Sequence, residues 1–234
     1  MKNALITGAS KGIGRAIAFA FAKQGLNLAI CSRNGEDLTK IQEELLEANP
    51  EIQVYTHIAD CSVKQQVIDF AANAEQQLGF IDVLINNVGV FEYASILDDD
   101  EDAFLRQMNT NVMPAYELYR YFGKTMRDAR SGYIFNICSV ASVQPTTTAG
   151  TYGVTKAALY SLSNIMRLEM QEHGVKVTAI LPGSTLTESW AGTDFSPDRF
   201  VSPADVASAI ITCYNMSSGA NVDEIVIKPV LGQL

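Results

Sequence analysis

The 234-residue chain is poor in the side chains that build disulfide frameworks and metal centres, with four cysteines, no Cys-x-x-Cys among them, and two histidines. Cys31, Cys61, Cys138 and Cys213 are scattered, three of them in or beside apolar strand-like runs, which predicts buried, reduced thiols. His57 and His173 fall in separate elements, so no metal site is expected. Positive charge is short as well. Against 26 Asp and Glu there are 17 Lys and Arg, and the resulting formal charge of −9 repels a phosphate backbone, so nucleic acid is not an expected partner. No apolar run approaches the ~20 residues of a membrane span, and no membrane partner is expected. A strand-like Asn3-Ala4-Leu5-Ile6-Thr7 arrives too early to leave room for a signal peptide, which makes the cytoplasm the expected location.

What is present is a globular composition, 47% hydrophobic and 18% charged, in a length that suits one well-buried domain over residues 1–234. Short apolar runs alternate with helix-length amphipathic ones, the pattern of βαβ units and a parallel sheet. Strands are expected at 4–7, 27–31, 53–57, 83–86, 133–139, 176–181 and 224–227. Helices are expected at 13–24, 36–48, 63–78, 101–127, 151–172 and 203–214, with Phe104, Leu105, Met108, Val112 and Leu118 as the apolar positions of the fourth. The fold class is therefore α/β, a Rossmann-type doubly wound sheet of about seven parallel strands with helices on both faces. Residues 184–201, rich in Ser, Thr, Asp and Gly with isolated Trp190, Phe195 and Phe200, read as a loop over a substrate site.

Tyr152 and Lys156 are four residues apart, one turn along a helix, which sets an ammonium beside a phenol. A nearby cation stabilises the phenolate and draws its pKa from about 10 toward neutrality, making an acid-base device. By chance alone, roughly every second chain of this length carries a Tyr-x-x-x-Lys. The weight comes from the surroundings. The first βα turn, Thr7-Gly8-Ala9-Ser10-Lys11-Gly12-Ile13-Gly14, has the glycines that let a backbone turn sharply and approach a pyrophosphate at a helix start. At the end of the second strand, Cys31-Ser32-Arg33-Asn34 lacks the carboxylate that holds a ribose 2′-hydroxyl, while Arg33 and Lys11 could clamp a 2′-phosphate. His57 to Cys61 and Ile85 to Gly89 end the next two strands, and their amides could cap neighbouring backbone or hold adenine and ribose.

Taken in order, these residues resemble the short-chain dehydrogenase/reductase family over nearly the whole chain. The resemblance rests on Thr7-Gly8-x-x-x-Gly12-x-Gly14, Asn86-Asn87-x-Gly89, Asn111, Ser139, Tyr152-x-x-x-Lys156 and Pro182-Gly183 with Thr187. The interval from Ser139 to Tyr152, 152 − 139 = 13, fits too. It implies that Tyr152 gives the proton to a carbonyl oxygen while NADPH delivers hydride to its carbon, and that Ser139 orients the oxygen. Lys156 would hold the nicotinamide ribose and lower the Tyr152 pKa, and Asn111 would hold a water linking Lys156 to solvent. Gly8, Ser10, Lys11, Gly12, Ile13, Gly14, Ser32 and Arg33 would line the pyrophosphate and adenosine side. Asp60, Cys61, Asn87 and Gly89 would face adenine and ribose, and Pro182, Thr185 and Thr187 the nicotinamide. Two departures from the family pattern are Val88 for the usual Ala and Cys61 for an aliphatic residue.

The expected activity is NADP(H)-dependent reduction of a small carbonyl compound. The ending Glu224-Ile225-Val226-Ile227-Lys228-Pro229 resembles those of sepiapterin reductases and 3-hydroxy acid dehydrogenases. A 3-oxoacyl-[acyl-carrier-protein] reductase is the alternative, for which Arg127 and Arg130 could meet an acidic carrier while His173 and the overall charge are adverse. A regulator that binds NADP without turnover is the alternative of another class, and the presence of Ser139, Tyr152, Lys156 and Asn111 speaks against it. The family also implies a homodimer or homotetramer through the helices that carry Asn111 and Tyr152.

Overall fold

A computed structural model describes every residue from Met1 to Leu234. Seven strands form one parallel sheet: β1 (Asn3–Thr7), β2 (Asn27–Ser32), β3 (Val54–Ile58), β4 (Val83–Asn86), β5 (Tyr133–Ile137), β6 (Lys176–Pro182) and β7 (Glu224–Ile227). Their order is β3-β2-β1-β4-β5-β6-β7. The chain winds outward from β1 in one direction, then returns to β4 on its other side, and this reversal leaves a crevice beyond the carboxyl ends of β1 and β4.

Both faces of the sheet are covered. Alternate strand residues point to opposite faces, so Ala4, Ile6, Leu28 and Ile30 meet α1 (Gly12–Lys23), α2 (Gly35–Ala48) and α7 (Pro203–Tyr214) through Ile17, Phe21, Ile41 and Ile210. Leu5, Ala29, Leu84 and Ile134 meet α3 (Lys64–Leu78), α5 (Met113–Ala129) and α6 (Gly150–Met170) through Phe70, Phe122 and Met166. Burial of each wholly enclosed ring, such as Phe21 or Phe70, contributes about 1.5–3 kcal/mol.

Two expectations change. The helix expected over 101–127 is two helices, α4 (Ala103–Asn111) and α5, broken at Val112. Pro114 has no amide hydrogen for the carbonyl of Thr110, and its ring crowds that turn. Phe104 and Leu105, in α4, lie on the surface, whereas Leu118, in α5, is buried. Strand β5 ends at Ile137, two residues earlier than the apolar run suggests, which frees Ser139 from the ladder.

Candidate active site

Ser139 follows β5 as the cap of a short 3₁₀ turn, Val140–Ser142. Its hydroxyl accepts from the Ala141 amide at 3.1 Å, and Ser142 Oγ accepts from the Ser139 amide at 3.2 Å, so the side chain is locked to its own turn. The first turns of α6 bring Tyr152 and Lys156 to the same place, the Lys156 ammonium 5.7 Å from the Tyr152 ring centroid. Lys156 is 4% exposed and donates to the carbonyl of Ile137 at 2.9 Å.

Burial governs both titrations. It pushes the Tyr152 phenol up to about 12, with the Ser139 hydroxyl pulling it partly back and the neighbouring Cys138 adding a smaller upward push. It brings the Lys156 ammonium down to about 8, against a small opposing effect of Cys138. Lys156 is expected to lower the Tyr152 pKa, but in the protein by itself desolvation disfavours the charged form of each, and neither group is among the causes of the other's shift.

Asn111 closes the group from α4. Its Oδ1 accepts from the Val90 amide at 2.7 Å, while Nδ2 donates to the Val90 carbonyl at 3.1 Å and to Thr155 Oγ1 at 2.9 Å. Gly89 lies close against this group: a Cβ there would stand 3.2 Å from Lys156 Nζ and 3.3 Å from Asn111 Oδ1, so those side chains would have to give way slightly. Thr155 and Val90, which hold Asn111, were not singled out from the sequence, and neither carries a signal that could have marked it.

Across the crevice lies the glycine turn. Gly8 and Gly12 adopt φ of +65° and +54°, a region that side chains disfavour. Gly14 has no space for a methyl, because a Cβ would stand 2.2 Å from the Gly8 carbonyl oxygen. Helix α2 has its amides capped by Asn34, and α7 has a capping box from Ser202, but the α1 cap, Lys11, contributes no side-chain bond. The first amides of α1 are thus free donors at the positive end of a helix, with no acidic residue in that turn, as a diphosphate requires. Ile13 is half-buried against the core beneath them.

The remaining expected residues fall around the same edge. Ser10 Oγ donates to Ser32 Oγ at 3.0 Å, tying the turn to the end of β2. Lys11 is already engaged, 3.2 Å from Asp37 and 3.4 Å from Glu188, so a phosphate would have to draw it from two carboxylates. Arg33 is exposed and acts on Asp60, whose carboxyl is held low by Ser62 and Arg33 despite the opposing effect of partial burial. A cavity of about 350 Å³ opens beside Ser10, Lys11 and Gly12, with Arg15 and Lys40 in its wall together with Asp37, Glu44 and Glu188, while Arg33 lies outside it. Cys61 is buried with its sulfur 3.7 Å from that of Cys31, and all four cysteines are free. Asn87 uses its amide locally, donating to the carbonyls of Thr7 at 2.9 Å and Gly8 at 3.0 Å.

On the far side, Pro182 ends β6, Thr185 Oγ1 donates to the Gly183 carbonyl at 2.9 Å, and the Thr187 methyl lies against Gly12. Residues 184–201 are pinned at the base by Leu186 and Ser184 bonding to Val201, each at 2.9 Å, and carry Trp190 edge-on to Phe200. No group of three or more His, Cys, Asp or Glu side chains is arranged to hold a metal ion, and no helix is long and apolar enough to cross a membrane.

These residues can be set beside known proteins. An uncharacterized oxidoreductase of Staphylococcus epidermidis is 31% identical over 98% of this chain and 97% of its own. An alcohol dehydrogenase of the archaeon Thermococcus sibiricus, solved in complex with 5-hydroxy-NADP, superposes with a TM-score of 0.92 at 26% identity, covering 100% of this chain and 99% of the other. L-sorbose reductase of Gluconobacter frateurii, solved with NADPH and L-sorbose, gives 0.89 at 27% identity over 97% and 95%. The family description "short chain dehydrogenase" matches residues 2–195, and with the crevice, the glycine turn and the Ser139, Tyr152 and Lys156 cluster in the same fold, the chain belongs to the short-chain dehydrogenase family.

Proposed function

We propose that the chain is an NADPH-dependent carbonyl reductase that moves hydride between NADP(H) and a small ketone or the corresponding alcohol. The observation that carries this reading is the meeting of Ser139, Tyr152 and Lys156 at the end of β5, opposite a helix terminus whose amides are free. A 2′-phosphorylated cofactor is supported by Arg33 beside an uncharged Ser32, and by the two solved relatives that hold NADP-type ligands.

When bound, the cofactor supplies the hydride. The α1 amides would hold its diphosphate, Arg33 and Lys11 its 2′-phosphate, and Thr185 and Thr187 its nicotinamide end. Ser139 would hydrogen-bond the carbonyl oxygen. Tyr152, a phenol that is protonated at neutral pH and that burial biases further that way, would donate its proton to that oxygen. Lys156, with a pKa of about 8, can stabilise the phenolate left behind and exchange protons near neutrality. Asn111 would hold the water through which Lys156 is resupplied.

The substrate class proposed is a small carbonyl compound of the sepiapterin or 3-hydroxy acid kind. A homodimer or homotetramer is supported by Val154, Ile165 and Leu168, exposed together along one face of α6. Four free thiols suit a reducing compartment such as the cytoplasm. The test is NADPH consumption with sepiapterin, small diketones and an acetoacetyl thioester, and NADPH formation from NADP⁺ with 3-hydroxy acids. Turnover with a small carbonyl compound is expected. Tight NADPH binding without turnover on any of them would leave the regulator reading in its place.

A further inference from the structure

The segment after β4 passes directly over the catalytic tyrosine. Phe91 meets Tyr152 edge to face, ring centroids 5.0 Å apart and planes at 85°, yet remains 39% exposed. An aromatic ring on irregular backbone would ordinarily be free to swing away. Here the residues on either side of it are fixed. Val90 is bonded through both its amide and its carbonyl by Asn111, at 2.7 and 3.1 Å. Glu92 is gripped by the Arg106 fork, with Nε donating to Oε1 at 2.8 Å and Nη2 to Oε2 at 2.7 Å. Arg106 in turn is held by Asp100 at 2.7 Å, and Gln107, fully buried, reaches Glu92 at 3.4 Å. Three residues on, the Ala94 carbonyl accepts from the Gly150 amide at 3.1 Å, fastening the segment to the start of α6.

We propose that Phe91 is a specificity-determining residue, an apolar wall that takes a flat or branched hydrocarbon substituent on the carbonyl carbon, and that Arg106 is a positioning residue acting on it through Glu92. This rests on the reductase reading. A carbonyl oxygen in reach of the Tyr152 hydroxyl brings a substituent on its carbon toward the ring that already packs on Tyr152. An aryl group there gains both buried apolar area and an edge or face contact, whereas a methyl gains little. The four-point clamp means that the wall does not have to be ordered when substrate arrives, so the preference is expressed in binding.

The experiment compares 1-phenyl-1,2-propanedione with 2,3-butanedione in the parent, Phe91→Ala, Phe91→Leu and Arg106→Gln, with NADPH affinity measured in each to establish that the cofactor side is intact. Phe91→Ala should lower kcat/KM for the phenyl diketone about tenfold or more, mainly through KM, and change the butanedione value little. Phe91→Leu should recover much of the loss, and Arg106→Gln should show a smaller loss of the same selectivity. Equal losses on both diketones, or no loss on either, would overturn the assignment. Calorimetric binding of acetophenone to the NADP⁺-loaded protein separates this from failure of the reductase reading. If no diketone is turned over, weaker acetophenone binding in Phe91→Ala still supports the wall, and unchanged binding refutes it.

Discussion

Gly14 and Gly183 stand on opposite sides of the crevice, and in each an added methyl carbon would come to 2.2 Å from a neighbouring atom. At Gly14 that atom is the backbone oxygen of Gly8. At Gly183 it is the side-chain nitrogen of Gln233, a residue near the chain terminus whose Oε1 accepts from the Ser184 amide at 2.9 Å. Equal distances here mean unequal constraints, because a backbone carbonyl inside a strand-to-helix turn cannot move without the turn, whereas a glutamine side chain can leave. At Gly14 the limit is therefore the turn's own backbone, with the Asn87 side chain bonded to Thr7 and Gly8 beside it. At Gly183 the limit is a side chain from the terminus, on the side of the crevice where residues 184–201 form a loop, the kind of element that varies while a fold stays the same.

The sharpest separation of the two sides is chemical. Tyr152→Phe should lower turnover about 10²- to 10⁴-fold while NADPH affinity stays at the parental value, because only the proton donor is lost. A parallel loss of affinity in a fluorescence titration would mean that the sides are not independent. Lys156 lies at the seam between them, and its signature is pH-dependent stability. Its folded pKa is depressed to about 8 from 10.5. The folded chain therefore bears the full cost of a buried ammonium below the folded value and sheds it as pH rises to the unfolded one, a cost of roughly 3 kcal/mol at most. Lys156→Met should accordingly melt at higher temperature relative to the parent near neutral pH than at about pH 10. A difference that does not vary with pH would show that the ammonium is not destabilising.

On the glycine-turn side, Arg33→Ala should weaken NADPH binding by about 1.5–3 kcal/mol and leave NADH binding nearly unchanged, measured by titration of both cofactors. Equal losses would remove the 2′-phosphate from the account. The smallest effect bears on the comparison itself. Gly14→Ala should cost about 1–3 kcal/mol of stability or more, and Gly183→Ala the smaller amount, about 0.5–1 kcal/mol, as Gln233 withdraws and gives up its bonds to Ser184. Similar costs in denaturant unfolding would show the terminus to be as firmly built as the turn.

The sequence by itself determined the parallel α/β sheet, the glycine turn and the Tyr152 and Lys156 pair, because each depends on local spacing. Apolar alternation sets strands, a four-residue interval sets two side chains on one helix face, and glycine sets the backbone where φ is positive. The break before Pro114 was local as well, and the apolar periodicity on either side of it concealed it. Only the tertiary structure decided what each group meets. Asn111 reaches Thr155 across 44 positions, and Ser184 reaches Gln233 across 49. It was likewise the tertiary structure that gave Lys11 two carboxylate partners, set Phe91 against Tyr152, and enclosed Lys156 fully and Tyr152 partly, so that desolvation dominates the shift of each. Such contacts depend on how separately formed elements pack around the crevice, and desolvation depends on the whole enclosure, so no local pattern of residues encodes either.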